Sequence, residues 1–188
     1  MGARILALFL AAAAASLAAP DSLSASVTRK LDSIERGQVK PGAVVRFSSA
    51  ELNAWVRDAA RTAIGDGLRQ SNLRLGYNTV NGYALVDFLK VRHSTGAETN
   101  WLVAKLIQGE KQVVARAGLE SANGRATVHL QRAEIGGLAV SGAVLDFLMR
   151  NFVLPIFPEV KIDEPFDLGY RIERIELTPM EARIYIKK

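Results

Sequence analysis

Two Asn-Gly pairs, Asn81-Gly82 and Asn123-Gly124, constrain this chain most, because each stands between runs with apolar residues at alternate positions. Asn-Gly tolerates the positive φ of the two-residue turn that matches strand twist, so the spacing predicts two antiparallel hairpins. Around Asn123-Gly124 the register places Leu119 opposite Val128 and Ala117 opposite Leu130 on a dry face. Arg116 with Gln131, Gly118 with His129 and Glu120 with Thr127 then fall on a wet face. The hairpin around Asn81-Gly82 differs. Its second strand, Tyr83 to Val91, turns Ala84, Val86 and Phe88 one way and Tyr83, Leu85, Leu89 and Val91 the other. Both faces are apolar except for Asp87, and such a strand must be covered on both sides.

The helices follow from a period near 3.6. Leu23, Val27, Leu31 and Ile34 form one stripe over Asp21 to Arg36, ended by Gly37. Ser48 and Glu51 have capping-box spacing, with Phe47 and Leu52 placed as a hydrophobic staple. They open a helix that buries Leu52, Trp55, Val56, Ala59, Ala63 and Ile64 and stops at Gly65. Thr99 to Ile107 reads as a short apolar helix containing Trp101. Ser141 caps another that runs through Val144, Phe147, Leu148 and Phe152 until Pro155 and Pro158 break it. The C-terminal strands change parity between Ile172 and Ile175, which predicts a bulge near Glu173-Arg174. This order of elements predicts an α+β domain: a curved antiparallel sheet built from hairpins, packed on and partly wrapping the helices.

At the N-terminus, Arg4 precedes an apolar run, and Ser16-Leu17-Ala18 offers small residues for cleavage. The run, about ten residues, is too short for a bilayer of roughly 30 Å. Residues 1–18 are therefore expected to be a cleaved signal peptide and 19–188 a single domain, in the periplasm or secreted. There is no cysteine, which excludes a thiolate metal site, a cysteine nucleophile and a lipidated cysteine. The 24 basic and 19 acidic residues become 23 and 19 once Arg4 is lost, a net +4. That mild excess suits an anionic lipid surface or an acidic polymer, and equally suits ordinary solubility. No basic run beyond Lys187-Lys188 marks a nucleic-acid binder.

Chemistry is sparse. The only histidines are His93 and His129, without a spaced partner, and no nucleophile elbow, H-E-x-x-H or phosphate loop occurs. No catalytic residue, metal or cofactor is expected. Asp163, Glu164 and Asp167 form either a carboxylate cluster or a solvated turn. Asp87 is expected to pair with Arg74 or a lysine, or to sit at a strand edge. The apolar surplus closes a larger core, docks a partner, or lines a pocket for an acyl chain.

The segment Phe47-Ser48-Ser49-Ala50-Glu51-Leu52-Asn53-Ala54-Trp55 resembles the opening of exported bacterial families in which a short strand leads into an "E-L-N" helix wrapped by a curved sheet. Pro165-Phe166-Asp167-Leu168, leading to Ile172, Ile175, Leu177 and Pro179, resembles their closing pattern. The chain looks most like uncharacterised periplasmic proteins and, more distantly, is similar to the YceB-like and LmeA-like lipid-binding proteins, which resemble tubular lipid carriers. The lipidated cysteine of the YceB-like lipoproteins is missing, so their attachment does not carry over, and the resemblance transfers no catalytic residue. The expectation is an exported, non-catalytic binding protein with an apolar groove for a lipid or other amphiphile, its headgroup anionic. From apolar placement, Trp55, Leu85, Phe88, Phe147, Leu148 and Phe152 are the candidate lining. The alternatives are an envelope module docking a protein partner through Val144 to Phe157, and a hydrolase using the carboxylates.

Overall fold

The computed structural model describes residues 22–95, 108–154 and 161–188, with the backbone alone at 64, 92–95 and 152. The expected signal, the Thr99 to Ile107 helix and Pro155 to Pro158 lie outside these residues. No helix among the described residues is long and apolar enough to cross a membrane.

Helix α1 (Ser22–Glu35) buries Ser24, Val27, Leu31 and Ile34, the expected stripe displaced by one residue at its start. Strand β1 (Val44–Ser48) leads directly into α2 (Ser49–Ile64) through the expected capping box. The Ser48 hydroxyl accepts from the Glu51 amide, and the Ser48 amide donates to Glu51 Oε2 at 2.8 Å. Phe47 and Leu52 are both buried in the same core, as a staple requires. A single tight turn, Gly65–Gly67, ends α2 and starts β2 (Leu68–Gly76).

The α+β class holds, but hydrogen bonding divides the strands into two antiparallel sheets rather than the one that was expected. β3 (Thr79–Asp87), β4 (Glu110–Ala122), β5 (Arg125–Ile135) and the two-residue β6 (Leu138–Ala139) follow β2 in order, with β7 (Phe166–Asp167) pairing with β5. This six-stranded sheet does not close into a barrel. The second sheet has the order β1-β9-β8, where β8 is Ile172–Leu177 and β9 is Glu181–Ile186. It joins the two ends of the domain, Val44 opposite Tyr185 and Ser48 opposite Glu181. Pairing at that sequence distance leaves no trace in local periodicity.

The Asn123-Gly124 hairpin forms with the expected register from Ala117–Leu130 to Glu120–Thr127. Beyond it a bulge opposes Arg116 to Arg132 instead of Gln131. Asn123 and Gly124 have φ of 53° and 77°, the left-handed backbone that such a turn needs. A methyl group at Gly124 would also lie 2.6 Å from Lys187 Nζ and 3.4 Å from the Ile172 carbonyl. Gly124→Ala is therefore expected to destabilise the fold by about 1–2 kcal/mol, measured as a lower urea midpoint.

The other hairpin turns elsewhere than expected. Gly76 pairs with Thr79, so its loop is Tyr77-Asn78, and Asn81-Gly82 lies inside β3 opposite Arg74 and Leu73. Asn78 supplies the positive φ, 47°, that a glycine was expected to supply. The run Tyr83 to Val91 is also not one strand. β3 stops at Asp87, whose Oδ1 accepts from the amides of Leu89 (3.1 Å) and Lys90 (3.4 Å) and so caps α3 (Phe88–Thr95). The costly carboxylate is thus an N-cap, the position where a carboxylate satisfies orphan donors. The helical turn swings Val91 to the side of Val86 and Phe88, away from Leu85.

The hairpin ends stitch the two sheets together along the outer edge of β8. Gly124 donates to Glu173 O at 2.7 Å, Ser121 Oγ accepts from Ile175, and Asn78 Oδ1 accepts from Leu177. Every second residue of that edge is therefore satisfied, which removes a template for unwanted strand pairing. The expected bulge is present, between Ile172 and Arg174.

Two apolar cores result. The first joins α1, Phe47, Leu52, Trp55 and Val56 to β8, β9 and Leu168. The second joins Ala60, Leu68, Val86, Phe88 and Val91 to Ile135, Val140 and Leu148 at the other end of the large sheet. Helix α2 reaches both. Leu148 ends α4 (Gly142–Leu148), which continues as a wider π turn, Met149–Val153.

Candidate functional site

Opposed residues in an antiparallel sheet share a face. One face of the large sheet carries Leu75, Val86, Leu119, Ala126 and Ile135 into the two cores. The outer face carries a row formed by Arg74, Asn81, Arg116 and Arg132, and beside it a row of Asn72, Tyr83 and Val114. A groove of about 450 Å³ lies along this face, lined by Asn72, Arg74, Asn81, Gly82, Tyr83 and Val114. Tyr83 is 37% exposed, and Leu85, paired with Gln70 and Gln112, continues the same face.

A second groove of about 270 Å³ adjoins the first through Asn72 and Tyr83 and rounds the edge of β2 towards α2. Arg57, Arg61, Leu68, Arg69, Gln70 and Ser71 complete its lining. Arg69 Nε pairs with Glu110 at 2.8 Å, and Arg132 pairs with Glu134. The side chains of Arg57, Arg61, Arg74 and Arg116 have neither an ion pair nor a hydrogen bond among the described residues. Arg57 and Arg61 stand four apart on α2, where like charges oppose helix formation by about 0.2–0.5 kcal/mol.

The six residues expected to line an apolar groove do not share one wall. Trp55 belongs to the first core, beside a void of only about 10 Å³ lined by Val27, Leu31, Phe47, Leu52 and Ile184. That volume holds at most about one water, so this core is filled. Phe88 and Leu148 belong to the second core, with Phe147 packed against it. Leu85 lies on the opposite side of β3, on the grooved face. The side chain of Phe152 lies outside the described residues.

The acidic residues scatter rather than cluster. Asp163 meets His129 Nδ1 at 2.9 Å, Asp167 approaches Arg125 at 3.7 Å, and Glu164 approaches Lys161 at 3.7 Å. The hydrogen bond that Asp163 accepts, helped by Glu120 at 3.7 Å, raises the His129 pKa above its ordinary value. His129 thus stands in an exposed ion-pair setting between Asp163 and Glu120. No group of three or more potential metal ligands occurs among the described residues.

The "E-L-N" residues are all occupied within the fold. Glu51 binds Ser26, Lys30 and Ser48, Leu52 is core, and Asn53 pairs with Leu73 on β2. None of the groove arginines stands out in the sequence except through the four-residue spacing of Arg57 and Arg61. Arg57, Arg61 and Arg69 come together because β2 folds back along α2. Comparison of the chain with family models, with curated proteins and with solved structures finds no match.

Proposed function

We propose that the protein is an exported, non-catalytic binding protein for an anionic amphiphile, held on the outer face of the six-stranded sheet. The observation that carries this reading is the juxtaposition of the uncompensated Arg74 guanidinium with the exposed ring of Tyr83 and with Val114 in one groove, Arg116 standing beside it on the same face opposite Asn81. An amphiphile needs both kinds of surface side by side. Arginine suits the charged end because its planar fork binds oxyanions bidentately and is weakly hydrated. The net +4 of the chain after signal removal favours the same encounters over long range.

On this reading the ligand lies on the solvent side of the sheet. Of the residues expected to line an apolar groove, Leu85 is the one on that face among those whose side chains are described. Native mass spectrometry of gently purified protein tests the reading. An adduct of lipid mass is expected after exposure to a bacterial lipid extract, and Tyr83→Ser with Val114→Asn is expected to reduce its occupancy about tenfold. Repeated recovery of an empty monomer from the extract would sink the proposal.

A further inference from the structure

We infer that the smaller groove, at the open edge of β2, is a site for a phosphate ester. The inference rests on the amphiphile reading above and assigns the headgroup end of that ligand.

The site combines donors from two elements. Arg57 and Arg61 reach it from α2 and Arg69 from β2. Asp58 lies between the two helical arginines in sequence, but its Oδ2 is enclosed and bonded to neither. Arg69 commits Nε to Glu110, which leaves its two terminal nitrogens uncommitted among the described residues. Ser71 lines the same groove, and its Oγ is closed off from bulk solvent and has no hydrogen-bond partner among the described residues. A buried hydroxyl without a partner is costly, by about 1–3 kcal/mol, and a ligand oxygen would relieve that cost.

The edge of β2 adds a further donor. Asn53 takes the Leu73 amide and carbonyl, both at 2.7 Å, so these point away from β3. Strand alternation puts the Ser71 amide on that same edge, two residues nearer the arginines. A planar carboxylate is satisfied by one guanidinium fork. A phosphate ester carries oxygens in several directions and can use guanidinium groups from the helix and the strand together with a hydroxyl. Size agrees: about 270 Å³ lies just under the ~300 Å³ at which ligand pockets begin, so it admits a headgroup while the adjoining 450 Å³ takes the apolar portion.

The test compares the purified protein with Arg57→Gln/Arg61→Gln, Arg57→Lys/Arg61→Lys and, as a charge control, Lys40→Gln, once circular dichroism shows equal folding. Each is titrated with inorganic phosphate by calorimetry, then sedimented with phosphatidylglycerol or dioleoylglycerol vesicles. The glutamine pair is expected to lose about tenfold or more in both phosphate and phosphatidylglycerol affinity, with Lys40→Gln unchanged. The lysine pair keeps the charge but not the fork, and an intermediate loss is expected. Equal binding by the native protein and the glutamine pair would overturn the inference, as would native protein that takes up no phosphate and no phosphatidylglycerol. Phosphate binding lost in the glutamine pair, with neither vesicle bound by any form, would keep the anion site and remove the amphiphile reading. Uptake of both vesicles regardless of the arginines would do the reverse.

Discussion

Glu51→Ala is expected to destabilise the fold by about 2–3 kcal/mol. Glu51 is 8% exposed and ties three parts of the chain together. Oε1 accepts from Ser26 (2.7 Å) and Lys30 (2.6 Å) on α1, and Oε2 accepts from the Ser48 amide and hydroxyl at the start of α2. Lys30 in turn donates to the Arg46 carbonyl on β1. Burial alone would push the Glu51 carboxyl up, but the bonds from Lys30, Ser26 and Ser48 outweigh it and hold the pKa at about 2, against 4.5 for the free group. The sign follows: the ionised form is favoured in the folded state, so its stabilisation is complete above 4.5 and fades as pH falls from 4.5 towards 2. Urea midpoints recorded from pH 7 to pH 2 should fall more steeply through that window in the native protein than in Glu51→Ala. Parallel pH profiles would show that the carboxylate is not what couples α1 to α2.

Asn53→Leu is expected to cost about 2–4 kcal/mol and to promote self-association. The side-chain amide of Asn53 acts as a one-residue strand against the free edge of β2, accepting from the Leu73 amide and donating to its carbonyl. It also donates to Ser49 O on its own helix, which fixes the rotamer. Leucine preserves the volume but leaves two half-buried backbone groups without partners. It also uncovers the edge of a nine-residue strand. The cost is read from the urea midpoint and the association from sedimentation velocity at rising concentration. A variant that stays monomeric and keeps its midpoint would show that water replaces the amide without loss.

The "E-L-N" segment is a structural joint. Its residues are consumed in joining α1, α2 and β2, and none is left over for a ligand. The arginines of the two grooves lie outside this segment. The same edge that Asn53 closes at Leu73 is open at Ser71, where the phosphate site is placed.

What was legible from sequence was local. The capping box at Ser48, the Asn123-Gly124 turn, the α1 stripe and the bulge near Glu173 each depend on residues within a few positions of one another, where backbone preference and side-chain spacing decide the outcome. Two local features misled because tertiary pairing overrode them. Asn81-Gly82 was drawn into β3 when the turn formed at Tyr77-Asn78, and Asp87 ended a strand that hydrophobicity would have continued. The division into two sheets, the filled core around Trp55 and the meeting of Arg57, Arg61 and Arg69 were beyond any local pattern. Each requires segments distant in sequence to meet, β1 with β9 and α2 with β2, and only the burial of the shared apolar faces selects those partners.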